Sequence, residues 1–187
     1  MRKIVVTEFI SLDGIFEDPG GAEEFEHGGW TRPYWNDDLS IYKKEELFAA
    51  DALLLGRVTY QGFAAAWSGK KDLEGFAERM NSLPKFVVTT TMQTVEWHNS
   101  WIIAKDIQKE ITNLKQQNGQ DILISGSGVL VQSLRELNLI DEYRLMVYPV
   151  ILGSGTRLFK DGSPVNLKLV GIKSFSTGVV DHTYQVI

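Results

Sequence analysis

The sequence predicts an α/β fold built on one mixed, mostly parallel sheet, and three observations carry that prediction. Apolar β-branched runs alternate with segments of helical period from Ile4 to Leu137. Two of those runs close and pass straight into a helix, at Gly56 and at Ser125-Gly126-Ser127-Gly128. After Asp141 come strand-like segments with no helix long enough to cross between them, so the sheet finishes antiparallel.

Residues 4–10 are β-branched and mostly apolar and read as a central strand buried on both faces. The segment from Phe16 to Trp35 holds Phe25, His27, Gly28, Gly29, Trp30, Tyr34 and Trp35, too long and aromatic for a simple connector. Such loops serve as lids or binding loops, and the aromatics suit either stacking on a planar ligand or closing a core edge or dimer contact. Residues 38–50 favour helix with Asp37 or Asp38 as N-cap, and 52–55 form the next buried strand. Leu73, Phe76, Ala77 and Met80 recur at helical spacing behind an Asp72 cap, and residues 85–91 read as a strand after Pro84. Ile107, Ile111 and Leu114 mark a helix ending near Asn118-Gly119. A buried strand over 121–125 leads through the glycine-serine turn to a helix with Leu130, Leu134 and Leu137 on one face. Residues 143–150, 165–172 and 179–186 complete the sheet.

At 187 residues the chain fits one domain over 1–187, large enough to bury roughly 70% of its unfolded surface. The formal net charge of -5 and the lack of any Lys/Arg run argue against nucleic acid or an anionic membrane as partner. With no cysteine there is no disulfide, thiol chemistry or Cys-ligated zinc, and His27, His98 and His182 are too dispersed to suggest a metal. The cytoplasm is the expected compartment, because Thr7 and Glu8 break the N-terminal apolar run before a signal core forms and no stretch approaches bilayer length.

The glycine turn carries the functional signal. Two glycines at a strand-to-helix junction let backbone N–H groups approach an anion at a helix N-terminus, although such turns also need glycine for steric reasons. A Rossmann fingerprint fails at Val131, where its third glycine belongs, and no Gly-Lys-Ser/Thr of a P-loop occurs. The turn at Gly56, Arg57 and Thr59 adds a guanidinium and a hydroxyl at a second junction, and two anion sites suggest a polyphosphate ligand.

Taken in order, several segments resemble the dihydrofolate reductase-like superfamily, and within it stand-alone proteins similar to the RibD C-terminal reductase domain of riboflavin biosynthesis. They are Ser11-Leu12-Asp13-Gly14, Ala52-Leu53-Leu54-Leu55-Gly56-Arg57-Val58-Thr59-Tyr60, Leu83-Pro84-Lys85-Phe86-Val87-Val88-Thr89-Thr90, the Ser-Gly-Ser-Gly turn, Leu139-Ile140-Asp141-Glu142-Tyr143-Arg144-Leu145 and Pro149-Val150-Ile151-Leu152-Gly153-Ser154-Gly155. The resemblance implies a three-layer fold with helices on both faces of the sheet, a homodimer, and NADPH bound across the strand ends for hydride transfer to a small heterocycle. It implies that Ser125, Gly126, Ser127 and Gly128 meet the pyrophosphate and nicotinamide side of the cofactor. Gly56, Arg57 and Thr59 would flank its phosphates, and Thr89, Thr90 and Thr91 the adenosine ribose phosphate.

Where the riboflavin-pathway reductases carry an Asp-x-Pro-x-Leu-x-x-Arg segment, this chain has Gln61-Gly62-Phe63-Ala64-Ala65-Ala66-Trp67-Ser68, and no deaminase motif is present. The expected substrate is accordingly a pterin-, pyrimidine- or flavin-precursor-like heterocycle. Candidate substrate contacts are Trp30, Trp35 and Asp38, with His27 a further candidate in the lid and Asp37 and Asp38 near the family's pterin-binding acid. Asp13, after the first strand, is the candidate proton donor, its carboxyl raised in pKa by desolvation, with water as the alternative donor. A module that binds NADPH or a flavin nucleotide without turnover is the competing expectation.

Overall fold

A computed structural model describes residues 1–72 and 74–187 of the chain; Leu73, expected on a helix face, lies outside the described residues. The strands are β1 (Ile4–Ser11), β2 (Ala50–Gly56), β3 (Lys85–Val88), β4 (Ser100–Ile103), β5 (Asp121–Ser125), β6 (Glu142–Tyr148), β7 (Leu167–Ser174) and β8 (Val180–Val186). The helices are α1 (Asp37–Ala49), α2 (Arg57–Trp67), α3 (Phe76–Ser82), α4 (Ile107–Gln116) and α5 (Gly128–Glu136). One eight-stranded sheet runs in the order β4-β3-β2-β5-β1-β6-β8-β7. Pairing is parallel from β4 to β6, and β8 and β7 are antiparallel, as the missing crossover helices require.

Alternation along the strands divides the core into layers. Ile4, Val6, Leu54, Ile122 and Ile124 point to one face, where Ile111 and Leu114 of α4 and Leu130, Val131 and Leu134 of α5 cover them. Val5, Leu53, Leu55, Val87 and Leu123 point to the other face, against Leu47 of α1, Tyr60 of α2 and Met80 of α3. The fold is therefore three-layered, with helices on both faces of the sheet. Buried on both sides, β1 and β2 read as continuous apolar runs rather than alternating ones.

Two expectations need correction. The N-cap of α1 is Asn36, whose side chain accepts from the Leu39 N–H at 3.1 Å, and Asp37 and Asp38 occupy the exposed first turn. Strand β3 ends at Val88, because the Thr89 hydroxyl folds back to accept from the N–H groups of Thr91 and Met92, each at 3.2 Å. The apolar run from Tyr143 lies inside the sheet. β6 pairs with β1 on one side and β8 on the other, and the sheet's two edges are β4 and β7.

Asp72 does act at the start of α3: its carboxylate accepts from the N–H groups of Phe76 at 2.9 Å and Ala77 at 2.6 Å, although the helix itself begins at Phe76. Among the described residues no helix is long and apolar enough to cross a membrane.

Candidate functional site

In an open α/β sheet the binding crevice lies beyond the carboxyl ends of the parallel strands, where connections depart in opposite directions. The chain runs outward from β1 through β2, β3 and β4, then returns to insert β5 between β2 and β1. The crevice therefore opens where β2, β5 and β1 end. β2 and β5 turn directly into α2 and α5, and neither helix N-terminus has a side-chain cap. Their first-turn N–H groups lack partners within the helix, and each end carries a positive partial charge.

Ser127 holds these two ends together. Its hydroxyl accepts from the Gly56 N–H at 2.8 Å and donates to Thr59 Oγ1 at 2.6 Å. Gly126 and Ser127 both have positive φ, +72° and +67°, which folds the chain sharply from strand to helix. A β-carbon on Gly126 would lie 2.9 Å from Thr59 Oγ1, and one on Gly128 would strike the Phe16 ring. The glycines are thus required by packing as well as by any approach of a ligand. Arg57 stands exposed at the mouth, its guanidinium 3.1 Å from Gln61 Oε1. Thr90 and Thr91 are exposed beyond β3, whereas Thr89 is buried and its hydroxyl is used by the turn it makes.

A cleft of about 380 Å³ opens on the α1 face of the sheet, within the range typical of small-molecule sites. Thr7 and Phe9 of β1, Ser125 of β5, Lys43, Glu46 and Leu47 of α1, and Phe63 and Trp67 of α2 line it. Ser125 links this cleft to the glycine turn. Most of the lining is apolar, with one polar cluster: Lys43 Nζ donates to Thr7 Oγ1 at 2.7 Å and pairs with Glu46, and Thr7 Oγ1 donates to Glu46 Oε2 at 2.9 Å. Arg144 of β6 reaches Glu46 at 3.4 Å. Burial opposes ionisation of Glu46, but Lys43, Arg144 and Thr7 outweigh it and hold its pKa below the ordinary carboxylate value. No sequence pattern marked this cluster, since Lys43 and Glu46 look like ordinary surface charges of a helix.

Strand β1, which supplies Thr7 to this cluster, carries an acid of its own. Glu8 is buried, with Oε1 lacking a hydrogen-bond partner among the described residues, and burial pushes its pKa up to about 8 against the pull of Lys43 and the Gly126 N–H, Glu46 adding to the rise.

The other candidates fall differently. Asp13 is not raised in pKa; it is held down to about 2, first by the Ser11 hydroxyl at 2.6 Å and then by the N–H groups of Gly153 at 2.8 Å and Leu152 at 3.2 Å. An acid so fully committed as an ionised acceptor is a loop clamp, so the expected desolvated proton donor is corrected. Trp30 is buried, with its ring edge-on to Tyr148 and its Nε1 donating to the Glu17 carbonyl at 2.8 Å. That places Trp30 in the core and not against a substrate. Trp35 does line the cleft, edge-on to Phe9 at 5.7 Å and 42% exposed. Asp38 lies on the solvent side of α1, and His27 packs edge-on against Phe25 at 5.5 Å. Among the described residues no group of three or more histidines and acids is placed to hold a metal ion.

Comparison with known proteins agrees with this architecture. A family model described as the RibD C-terminal domain matches residues 2–180. The uncharacterized protein YyaP of Bacillus subtilis (strain 168) is 29% identical over 188 residues, covering 98% of this chain and 95% of that protein. Among solved structures, a Shewanella sp. PV-4 protein provisionally named for riboflavin biosynthesis superposes with a TM-score of 0.75 at 22% identity, over 99% of each chain. A Thermotoga maritima diaminohydroxyphosphoribosylaminopyrimidine deaminase/5-amino-6-(5-phosphoribosylamino)uracil reductase gives a TM-score of 0.66 at 16% identity, over 100% of this chain and 57% of that one. At those identities the likeness is one of fold.

Proposed function

The chain belongs to the RibD C-terminal domain family, and from that premise we propose that it is a reductase using NADPH to reduce a small pterin-, pyrimidine- or flavin-precursor-like heterocycle held in the α1-side cleft. The observation that carries this reading is the pair of uncapped helix N-termini latched side by side by Ser127 at the strand ends. Backbone N–H groups there suit a pyrophosphate, and exposed Arg57 suits a further phosphate because its forked donors match phosphate oxygens. When bound, the nicotinamide cofactor would supply the hydride. Phe9, Leu47, Phe63 and Trp67 would exclude water around the substrate, Trp35 would border it, and Lys43 and Glu46 would offer it a donor and an acceptor.

With Asp13 tied into its loop, the proton required by the reduced heterocycle comes in this reading from water. The same commitment of Asp13 favours the second reading, a module that holds the cofactor without turnover. We also propose a homodimer, seated on the exposed edge strand β7.

The test is a fluorescence titration with NADPH and NADH, followed by NADPH oxidation against a panel of pterins, pyrimidines and flavin precursors. Each charge-assisted contact to a phosphate is worth about 1.5–3 kcal/mol, so Arg57→Ala is expected to weaken NADPH roughly tenfold or more and NADH little. Failure of NADPH to bind overturns the proposal. Saturable binding with no oxidation across the panel leaves the module reading.

A further inference from the structure

We propose that Glu8 is a cofactor-binding residue whose carboxyl pairs with the carboxamide of a nicotinamide ring held at the Gly126 turn; the inference rests on the NADPH reading above. Alternation along β1 sends Thr7 and Phe9 into the cleft and sets Glu8 with Val6 and Ile10 on the opposite face. Thr7 and Ser125 form the last rung between β1 and β5, so Glu8 follows where β5 leaves the sheet as the glycine turn. The backbone N–H of Gly126 acts on the Glu8 carboxyl, and Oε1 is shielded from solvent with no partner. A buried, unused oxygen is costly, and among the described residues none satisfies it. Lys43, the near cation, is engaged by Thr7 and Glu46.

The surroundings fix which form of the acid is present. Lys43 and Glu46 act on it from α1, and the Gly126 N–H from the turn. On Glu8's own face α4 and α5 present Ile111, Leu114, Leu130 and Leu134, and in the adjoining row of the sheet Leu145 separates Glu8 from His182. Burial dominates, so with a pKa of about 8 the group is a neutral acid at pH 7. A neutral carboxyl has one O–H donor and one carbonyl acceptor, the complement of a primary carboxamide, and the two can form paired hydrogen bonds. The cofactor's phosphates are acceptors only and are matched instead by the helix N-termini and Arg57.

Because the neutral form is the binding form, affinity is full below pH 8 and falls as pH rises through it. NADPH and 2′,5′-ADP, which keeps the adenosine phosphates but has no nicotinamide, are titrated from pH 6.5 to 9.5 onto the wild-type protein, Glu8→Gln and Glu8→Leu. The wild type is expected to lose about tenfold in NADPH affinity between pH 7 and pH 9, one unit above that pKa. Glu8→Gln, neutral at every pH, gives a flat profile, and Glu8→Leu weakens NADPH by about tenfold at pH 7. Binding of 2′,5′-ADP is the same in all three.

A Glu8→Gln profile that falls with pH as the wild type does overturns the inference while leaving the NADPH reading in place, and this arm stands even where Glu8→Leu does not fold. Equal weakening of 2′,5′-ADP and NADPH by the Glu8 variants also overturns it, placing the effect on the adenosine side. Failure of the wild type to bind either molecule overturns the NADPH reading and the inference together.

Discussion

At the scale of single residues, Asp13 shows how far position alone misleads. Placed after β1 at the mouth of a cleft, it has the sequence signature of a general acid, yet three donors hold it ionised with a pKa of about 2, below the ordinary value of 3.8. A carboxyl depressed in the folded state contributes stability that is present above its unfolded pKa and is lost as pH falls through the folded one. Asp13→Asn is therefore expected to be less stable than the wild type at pH 7, with the difference shrinking as pH falls from about 4 towards 2, as urea melts at several pH values would read. Turnover of the bound substrate should survive the change. Loss of turnover at unchanged stability would restore Asp13 as the acid. What was legible at this scale was the turn chemistry, Gly56, Arg57, Ser127 and the glycines, because glycine and a fixed arginine announce themselves locally. Glu8 and the Lys43–Glu46 pair were not legible, because burial of a charged side chain is decided by strands far away in sequence.

Among elements, the decisive contact joins two turns separated by 71 residues, through one hydroxyl that accepts from Gly56 and donates to Thr59. The sequence shows two similar turns but not that they touch. Ser127→Ala removes both hydrogen bonds and leaves a half-buried N–H unpaired, so a loss of about 1–3 kcal/mol in a denaturant melt is expected, together with weaker NADPH binding. A variant as stable and as tight-binding as the wild type would remove the latch from the account. Gly126→Val is a poorer probe, since its positive φ and the nearby Thr59 make any side chain there disturb the turn itself. Strand boundaries were read where apolar runs were long, as in β1, β2 and β5. They failed at β3, where a threonine hydroxyl competes with the ladder, and at β4, whose four residues are too few to show a period.

For the whole molecule, the mixed sheet and its antiparallel end followed from which segments lacked a crossover helix, but the order of strands did not, and with it went the identity of the edge. The edges are β4 and β7, and on β7 Leu167, Leu169, Val170 and Ile172 remain at least 36% exposed and a register shift lies between Leu169 and Gly171. Exposed apolar edge strands invite pairing with another chain. Light scattering should give twice the 21.1 kDa chain mass, and Leu169→Lys with Ile172→Lys should return it to one; a wild-type mass of one chain at all concentrations would discard the dimer.

The strand order also sets a schedule for the newborn chain. β1 leaves the ribosome ahead of β2–β8, yet its neighbours among the described residues are β5 and β6, so more than a hundred residues must be added before either edge is covered. At ordinary elongation rates that wait lasts roughly ten seconds, during which an Ile-Val-Val run is open to pairing with other chains. In water Glu8 has its ordinary carboxylate pKa of 4.5 and is charged, which places a repulsive charge inside that sticky run while it is dangerous. The charge is lost only when burial in the closed sheet raises the pKa to about 8, so the same acid is ionised on the exposed strand and neutral inside the folded sheet.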